Sequence, residues 1–200
     1  MRRRRGSAAA DDAAVIESSW REPERFAVLF DRHAPHIYRY LARRAGRQVA
    51  DDLVAETFLV AFAKRDRYDL GHADARPWLY GIATNLVGQH RRDEARQYRI
   101  SQAAVAEPEA AGHAERVAAD VTARAMRPLL DAALAALPAG DRDVLLLIAW
   151  EQLTYQEVSR ALAIPVGTVQ SRLHRARTKV RQVLAGTDAA ATYEEITTNE

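Results

Sequence analysis

Apolar positions along this chain recur at helical spacing from one end to the other. Phe26, Leu29, Phe30, His33, Ile37 and Leu41 mark a first helix that Gly46 is placed to end. A second helix is predicted from about Asp51 to Lys64, with Leu53, Val54, Phe58, Ala61 and Phe62 as its inner positions. A third carries the stripe Trp78, Leu79, Ile82, Ala83, Leu86 and His90, with Asp74 placed to cap it and Pro77 in its first turn. No segment alternates as a half-buried strand does, so the expected fold class is all-α.

The pattern then breaks. Ser101 to about Thr122 is Ala-rich and acidic (Glu107, Glu109, Glu115, Asp120), holds Pro108 and Gly112, and offers few large side chains to bury. It reads as a flexible linker, able to reach roughly 73–79 Å when extended. Beyond it, Leu129, Leu130, Ala133, Leu134 and Leu137 precede a break at Pro138, and a short helix carries Val144, Leu145, Leu147 and Ile148. Thr154 and Glu157 are spaced as a capping box for a helix burying Val158, Ala161 and Leu162. That helix is expected to stop at Ile164-Pro165-Val166-Gly167, where Pro165 disfavours helix at Ile164 and Gly167 permits an unusual turn. A last helix follows, with Val169, Leu173, Ala176 and Val180 on one face. The expected layout is a mobile arm (1–21), a helical domain (22–100), a linker (101–123), a helix-turn-helix domain (124–185) and an acidic tail (186–200).

Charge sharpens this picture where overall composition does not. Of 200 residues, 28% are charged and 48% apolar, as in an ordinary globular chain, and the net charge is +2. Its distribution is uneven. The segment 168–182 holds Arg172, Arg175, Arg177, Lys179 and Arg181 with no acid, and 76–99 holds Arg76, Arg91, Arg92, Arg96 and Arg99 against Asp93 and Glu94. The last residues, by contrast, carry Asp188, Glu194, Glu195 and Glu200 with no base. Two separate basic segments suit a polyanion gripped at two places, or two solvated helix faces.

Several chemistries are excluded or weakened. The chain has no cysteine, hence no disulfide scaffold, thiolate metal site or cysteine nucleophile. No apolar run approaches the ~18 residues of a membrane span, and the basic Arg2–Arg5 is followed by Asp11 and Asp12 rather than a hydrophobic stretch. No membrane insertion and a cytoplasmic location are therefore expected. His33 and His36 are three apart, as two metal ligands can be, but no third ligand cluster accompanies them. There is no P-loop, dinucleotide motif or nucleophile motif, so neither enzymatic activity nor a cofactor is expected.

The final helix carries the strongest chemical signal. With its apolar stripe inward, Gln170, Ser171, His174, Arg175 and Thr178 point largely outward, and Thr168 joins the candidate DNA contacts at the helix start, where a helix lying in a major groove reaches base edges. Gln170 and Arg175 are side chains able to pair bidentately with adenine and guanine. Arg172, Arg177, Lys179 and Arg181 are better suited to phosphates.

These residues resemble a known family. Leu137-Pro138 with Asp141-Arg142-Asp143-Val144, then Leu153 to Val158, then Ile164 to Arg177, resemble the promoter-reading C-terminal domain of extracytoplasmic-function (ECF) bacterial sigma factors. Asp51 to Phe58 is similar to that family's acidic helix, and Arg76 to Leu86, followed by Arg91-Arg92, to its next helix. The resemblance covers about residues 22–99 and 124–184, in the family's order. It implies a promoter-specificity subunit whose partners are core RNA polymerase, promoter DNA and an anti-sigma factor. It makes Asp51, Asp52 and Glu56 the polymerase contacts. Asn85 becomes the reader of an unstacked base of the −10 element, a task suited to a side chain presenting both donor and acceptor. Arg91, Arg92 and Arg96 become holders of the opened strand, and the last helix the reader of the −35 element.

Plainer readings stand beside these. Asp51, Asp52 and Glu56 are also what a helix macrodipole favours near its start, Asn85 what a solvated helix face carries, and Trp78 a core residue rather than a stacking platform. The acidic linker fits a nucleic-acid channel or a plain spacer. As whole-protein alternatives, the chain can be read as an operator-binding regulator with a sensing or dimerising first domain, or as a DNA-processing enzyme targeted by its helix-turn-helix.

Overall fold

The computed structural model describes the backbone of residues 11–104 and 121–197, and the side chains of residues 11–100 and 128–185. All regular structure among the described residues is helical: α1 (Asp12–Ser18), α2 (Ala27–Ala45), α3 (Arg47–Ala63), α4 (Arg76–Ala104), α5 (Val121–Ala135), α6 (Ala139–Ala149), α7 (Tyr155–Leu162) and α8 (Val166–Thr197), with single 3-10 turns at Pro23–Phe26 and Arg65–Arg67. The chain forms two compact units, residues 1–96 with 156–163, and 97–155 with 164–200. In this division α7 falls with the first unit. Glycine at 81 permits it: a Cβ there would lie 2.2 Å from the Ala161 carbonyl oxygen.

In the first unit α2 and α3 form an antiparallel hairpin. Gly46 joins them at φ +88°, a left-handed conformation that only glycine adopts without strain, while its amide closes the last turn on the Ala42 carbonyl at 3.0 Å. Leu29, Ile37 and Leu41 of α2, Ala50, Leu53 and Phe58 of α3, and Leu79, Ala83 and Val87 of α4 are buried together. Each large apolar side chain among them contributes roughly 1.5–3 kcal/mol. Edge-to-face pairs lock the layers, Phe26 with Phe62 and Tyr40 with Tyr80, each with ring centroids 5.3 Å apart. Asp74 receives the Arg76 amide at 2.8 Å at the start of α4, as its position predicted.

Several boundaries differ from expectation. The arm assigned to 1–21 is, from Asp11 onward, ordered helix: Asp11 caps α1 by accepting the Ala14 amide at 2.8 Å, and Ala13, Val15 and Ile16 are buried. Seven residues are too few to show a clear period, which is why the pattern escaped the sequence reading. Residues 1–10 lie outside the described residues. α3 begins at Arg47 rather than near Asp51, and α4 continues past Arg99 to Ala104. Of the expected linker, 105–120 lie outside the described residues, while 121–123 open α5. The helix α8 runs through Thr197, across most of the segment expected as a separate tail. Ala185, Ala189, Ala190 and Ala191 favour its continuation.

In the second unit Leu137, Val144, Leu147, Val169, Leu173 and Ala176 are buried, with α6 packed along α8. Arg142 caps the end of α5, its Nε donating to the Leu134 carbonyl at 2.7 Å and one NH2 to those of Ala135 and Leu137 at 2.8 and 2.9 Å. It thereby satisfies carbonyls that the helix leaves open, with the charge a C-terminus favours. The turn between α7 and α8 also differs from expectation. The left-handed residue is Ala163, at φ +52°, whereas Gly167 lies inside the first turn of α8. Pro165 sets that start, its carbonyl accepting the Thr168 and Val169 amides at 2.9 and 3.1 Å.

Candidate nucleic-acid interface

α8 presents two faces. Val169, Leu173 and Ala176 are buried and Val180 is half-buried, while Gln170, Ser171, His174, Arg175, Arg177, Lys179 and Arg181 are exposed and Thr168 and Arg172 are half-buried. The 3.6-residue period thus separates core from a basic outer surface as predicted. Two of the predicted contacts are engaged within the chain. The Ser171 hydroxyl donates to the Thr168 carbonyl at 3.1 Å. Arg175 grips Asp141 of α6 with two parallel hydrogen bonds, Nε at 3.0 Å and NH2 at 2.8 Å. Hydrogen bonding to Asp141, then its charge, pushes the Arg175 pKa up. A side chain held this way braces its helix. Arg172 lies over α6 at Gly140, where a Cβ would come within 2.6 Å of its guanidinium.

The second basic surface belongs to the first unit. Asn85 is exposed on α4, next to Thr84, which is buried and within 2.8 Å of the Tyr40 hydroxyl. Arg44 donates to that same hydroxyl at 2.6 Å. This polar network fixes the rotation of α4 against α2 and leaves Asn85 outward. Arg91 donates to the Arg44 carbonyl at the end of α2, so it caps a helix as well as contributing charge. Arg92 and Arg96 are exposed. Trp78 is half-buried, its ring 5.0 Å from that of Tyr68, in line with a packing role.

Asp51, Asp52 and Glu56 are all exposed on α3, beyond its first turn. The helical period places Leu59 on the same side as Asp52 and Glu56, and Leu59 is 68% exposed. Phe30, read as an inner position, is 45% exposed and meets Phe58 edge-on at 4.9 Å. The sequence pattern placed Phe30 inward and left Leu59 unassigned, because nothing local marks an apolar helix residue as exposed.

Sequence reasoning also missed a buried carboxylate. Asp12, in the first turn of α1, is within 2.8 Å of His33 Nε2 and accepts hydrogen bonds from Arg32 at 3.0 Å and from the Ala75 amide at 3.0 Å. Burial pushes its pKa up, but the His33 hydrogen bond, the Ala75 amide, the His33 charge and Arg32 together outweigh that and hold it at about 2. Burial, with the charges of Asp12 and Asp74, raises the neighbouring Tyr68 phenol. His36, the other candidate metal ligand, lies 2.7 Å from Arg39. Among the described residues no group of three or more His, Cys, Asp or Glu converges on a metal site, and no helix is long and apolar enough to cross a membrane.

Fold and surfaces together define an all-helical DNA-binding protein built from two helical units. The Sigma-70 region 2 family matches residues 29–97, and the Sigma-70, region 4 family residues 127–180. The ECF RNA polymerase sigma factor SigE of Mycolicibacterium smegmatis is 35% identical over 190 residues, covering 89% of this chain, which spans 65% of that protein's length. SigW of Bacillus subtilis, another ECF RNA polymerase sigma factor, is 30% identical over 171 residues, 82% of this chain and 90% of its own. The chain belongs to the ECF family of RNA polymerase sigma factors, the promoter-specificity subunits of that enzyme, which leaves the operator-binding alternative without support. Two solved structures share its fold: CnrH in complex with the cytosolic domain of CnrY (TM-score 0.61, 23% identity, 88% of this chain and 97% of that one) and the sigma factor RpoE in complex with the anti-sigma factor NepR from Bartonella quintana (TM-score 0.59, 24% identity, 80% and 96%).

Proposed function

We propose that this chain directs initiation by dividing its task between the two basic surfaces. The outer face of α8 enters the major groove of the −35 element. Thr168, Gln170, Ser171 and His174 lie near the base edges, and Arg172, Arg177, Lys179 and Arg181 near phosphates. Arg175 acts indirectly, by holding α8 to α6. In the first unit Asn85 receives an unstacked base of the −10 element, and Arg92 and Arg96, with Arg91, hold the opened strand. Asp51, Asp52 and Glu56 dock on core polymerase, which supplies the bond-making chemistry in the cytoplasm. An anti-sigma protein completes the set of partners. The observation that carries this reading is the separation on α8 of a buried apolar stripe from an exposed basic face.

Promoter-specific run-off transcription with core polymerase tests it. A transcript is expected only with both protein and matched promoter present, and Gln170→Ala should lower its yield at a matched −35 element. Footprinting of an operator by the chain alone, with no transcript from core polymerase, overturns it.

A further inference from the structure

The connection between α3 and α4 is tied at both ends by one short segment near the N-terminus. At its exit, the Asp12 amide donates to the Ala73 carbonyl at 3.0 Å and the Asp12 carboxylate accepts the Ala75 amide at 3.0 Å. At its entry, the Trp20 indole Nε1 donates to the Arg65 carbonyl at 3.2 Å. Between these points the Tyr68 hydroxyl donates to the His72 carbonyl at 2.6 Å, folding the connection on itself. The segment is itself anchored, since His33 and Arg32 of α2 hold the same Asp12 carboxylate. A buried charge needs compensation on this scale to be tolerated. Asp12 and the segment that positions it lie before the residues that match the region 2 family.

The Ala75 amide belongs to the residue whose carbonyl accepts the Leu79 amide, so Asp12 satisfies a donor at the very start of α4 and places negative charge where the helix dipole favours it. Asp74 supplies the neighbouring cap from within the connection, to the Arg76 amide at 2.8 Å. The two carboxylates do different work: Asp74 ends the loop locally, whereas Asp12 ties the loop's end to α1 and α2. α4 is the helix that carries Asn85 and the strand-holding arginines.

We propose that Asp12 is a positioning residue for promoter opening, and that α1 with Trp20 forms a brace fixing the entry of α4 against α2. The inference rests on the −10 role given to α4 above. Without the brace the apolar core still holds α4 in place, but its first turn and the connection before it lose their common reference.

The test uses the full chain with core polymerase and measures three quantities: core affinity, promoter opening by permanganate reactivity of unpaired thymines, and the ratio of opening on the preferred −10 sequence to that on one substituted at a base. Asp12→Ala should reduce opening on the order of tenfold, as a displaced group does, and move the ratio towards one, with core affinity changed less than about twofold. Asp12→Asn, which keeps an acceptor for the Ala75 amide, should restore part of both. Trp20→Phe, which keeps an aromatic side chain of smaller size and loses the donor to Arg65, should lower opening with core affinity intact, and serves should Asp12→Ala fail to fold. Opening and core affinity falling in parallel, with the ratio unchanged, would show that α1 merely stabilises the fold and would overturn the proposal. An Asn85→Ala control separates the two readings. If it leaves the ratio unchanged while Asp12→Ala alters it, Asn85 is not the reader, yet the brace stands. If Asp12 and Trp20 variants open normally, the brace falls whatever Asn85 does.

Discussion

Arg175 and Asp141 are joined by two parallel hydrogen bonds of 3.0 and 2.8 Å, tying the outer face of α8 to the first turn of α6. The Asp141 side chain is 6% exposed and that of Arg175 58%, so the carboxylate is committed to the interior while the guanidinium spans from solvent to meet it. Fork-to-fork geometry of this kind fixes direction as well as distance. It makes Arg175 the strut that holds the helix beside it at a set angle.

Removing the strut should therefore weaken binding to every −35 sequence by a similar factor. Arg175→Ala and Asp141→Asn should each do so and should be non-additive when combined, as partners are. Arg181→Ala should also lower affinity uniformly, but by a different route, making the salt dependence shallower by ~0.9 in log–log slope for one lost phosphate contact. Titrations over several −35 variants and salt concentrations distinguish the three. A loss confined to one base pair for Arg175→Ala would return it to direct base reading.

Charge reversal at Asp52 and Glu56 should lower affinity for core polymerase about tenfold or more at low salt, with the effect shrinking as salt rises. Both side chains are exposed, so the melting temperature should hardly move. Leu59→Ser, on the same side of α3, should weaken the complex without that salt dependence. Equilibrium binding to core with the full chain measures all three.

Asn85→Ala should impair opening more than closed-complex formation and cost ~1–3 kcal/mol of discrimination at one −10 base, the scale of a good paired contact. The loss should disappear when that base is already changed, since a direct contact couples protein and promoter substitutions. On a premelted −10 bubble the defect should persist, because capture of the base is still required.

Acid should loosen the first unit through Asp12. Its folded pKa of about 2 lies below the ordinary 3.8, so the stability it contributes is complete above about pH 4 and is lost as pH falls towards 2. Ellipticity and tryptophan fluorescence followed against pH should show a transition in that window, and Asp12→Asn should flatten it.

The helices legible in the sequence were those with a long apolar period: α2, α3 and α8 show their inner faces over several turns, and Gly46 and Asp74 act where their chemistry places them. What escaped had other causes. α1 is held by a charge and three apolar side chains in seven residues, too short for a period to emerge. The turn before α8 uses Ala163 in a conformation costing about 1–2 kcal/mol, and nothing local in Leu162-Ala163-Ile164 announces it. The site was legible as composition and less so as geometry. Among the nine α8 residues nominated for DNA, Arg175 faces a partner 34 positions away in sequence, a contact that no reading of one helix reveals.

Gly140 shows stability and function asking for different residues at one position. Gly140 is the second residue of α6, where alanine would favour the helix, though by less than the roughly 1 kcal/mol it gains over glycine in a helix interior. The same methyl would drive the Arg172 guanidinium from its seat and change where α8 offers positive charge. Repeated rounds of selection for thermal tolerance alone should therefore drift towards alanine at 140 and produce hardier proteins that start fewer transcripts, whereas selection for transcription should bring the glycine back.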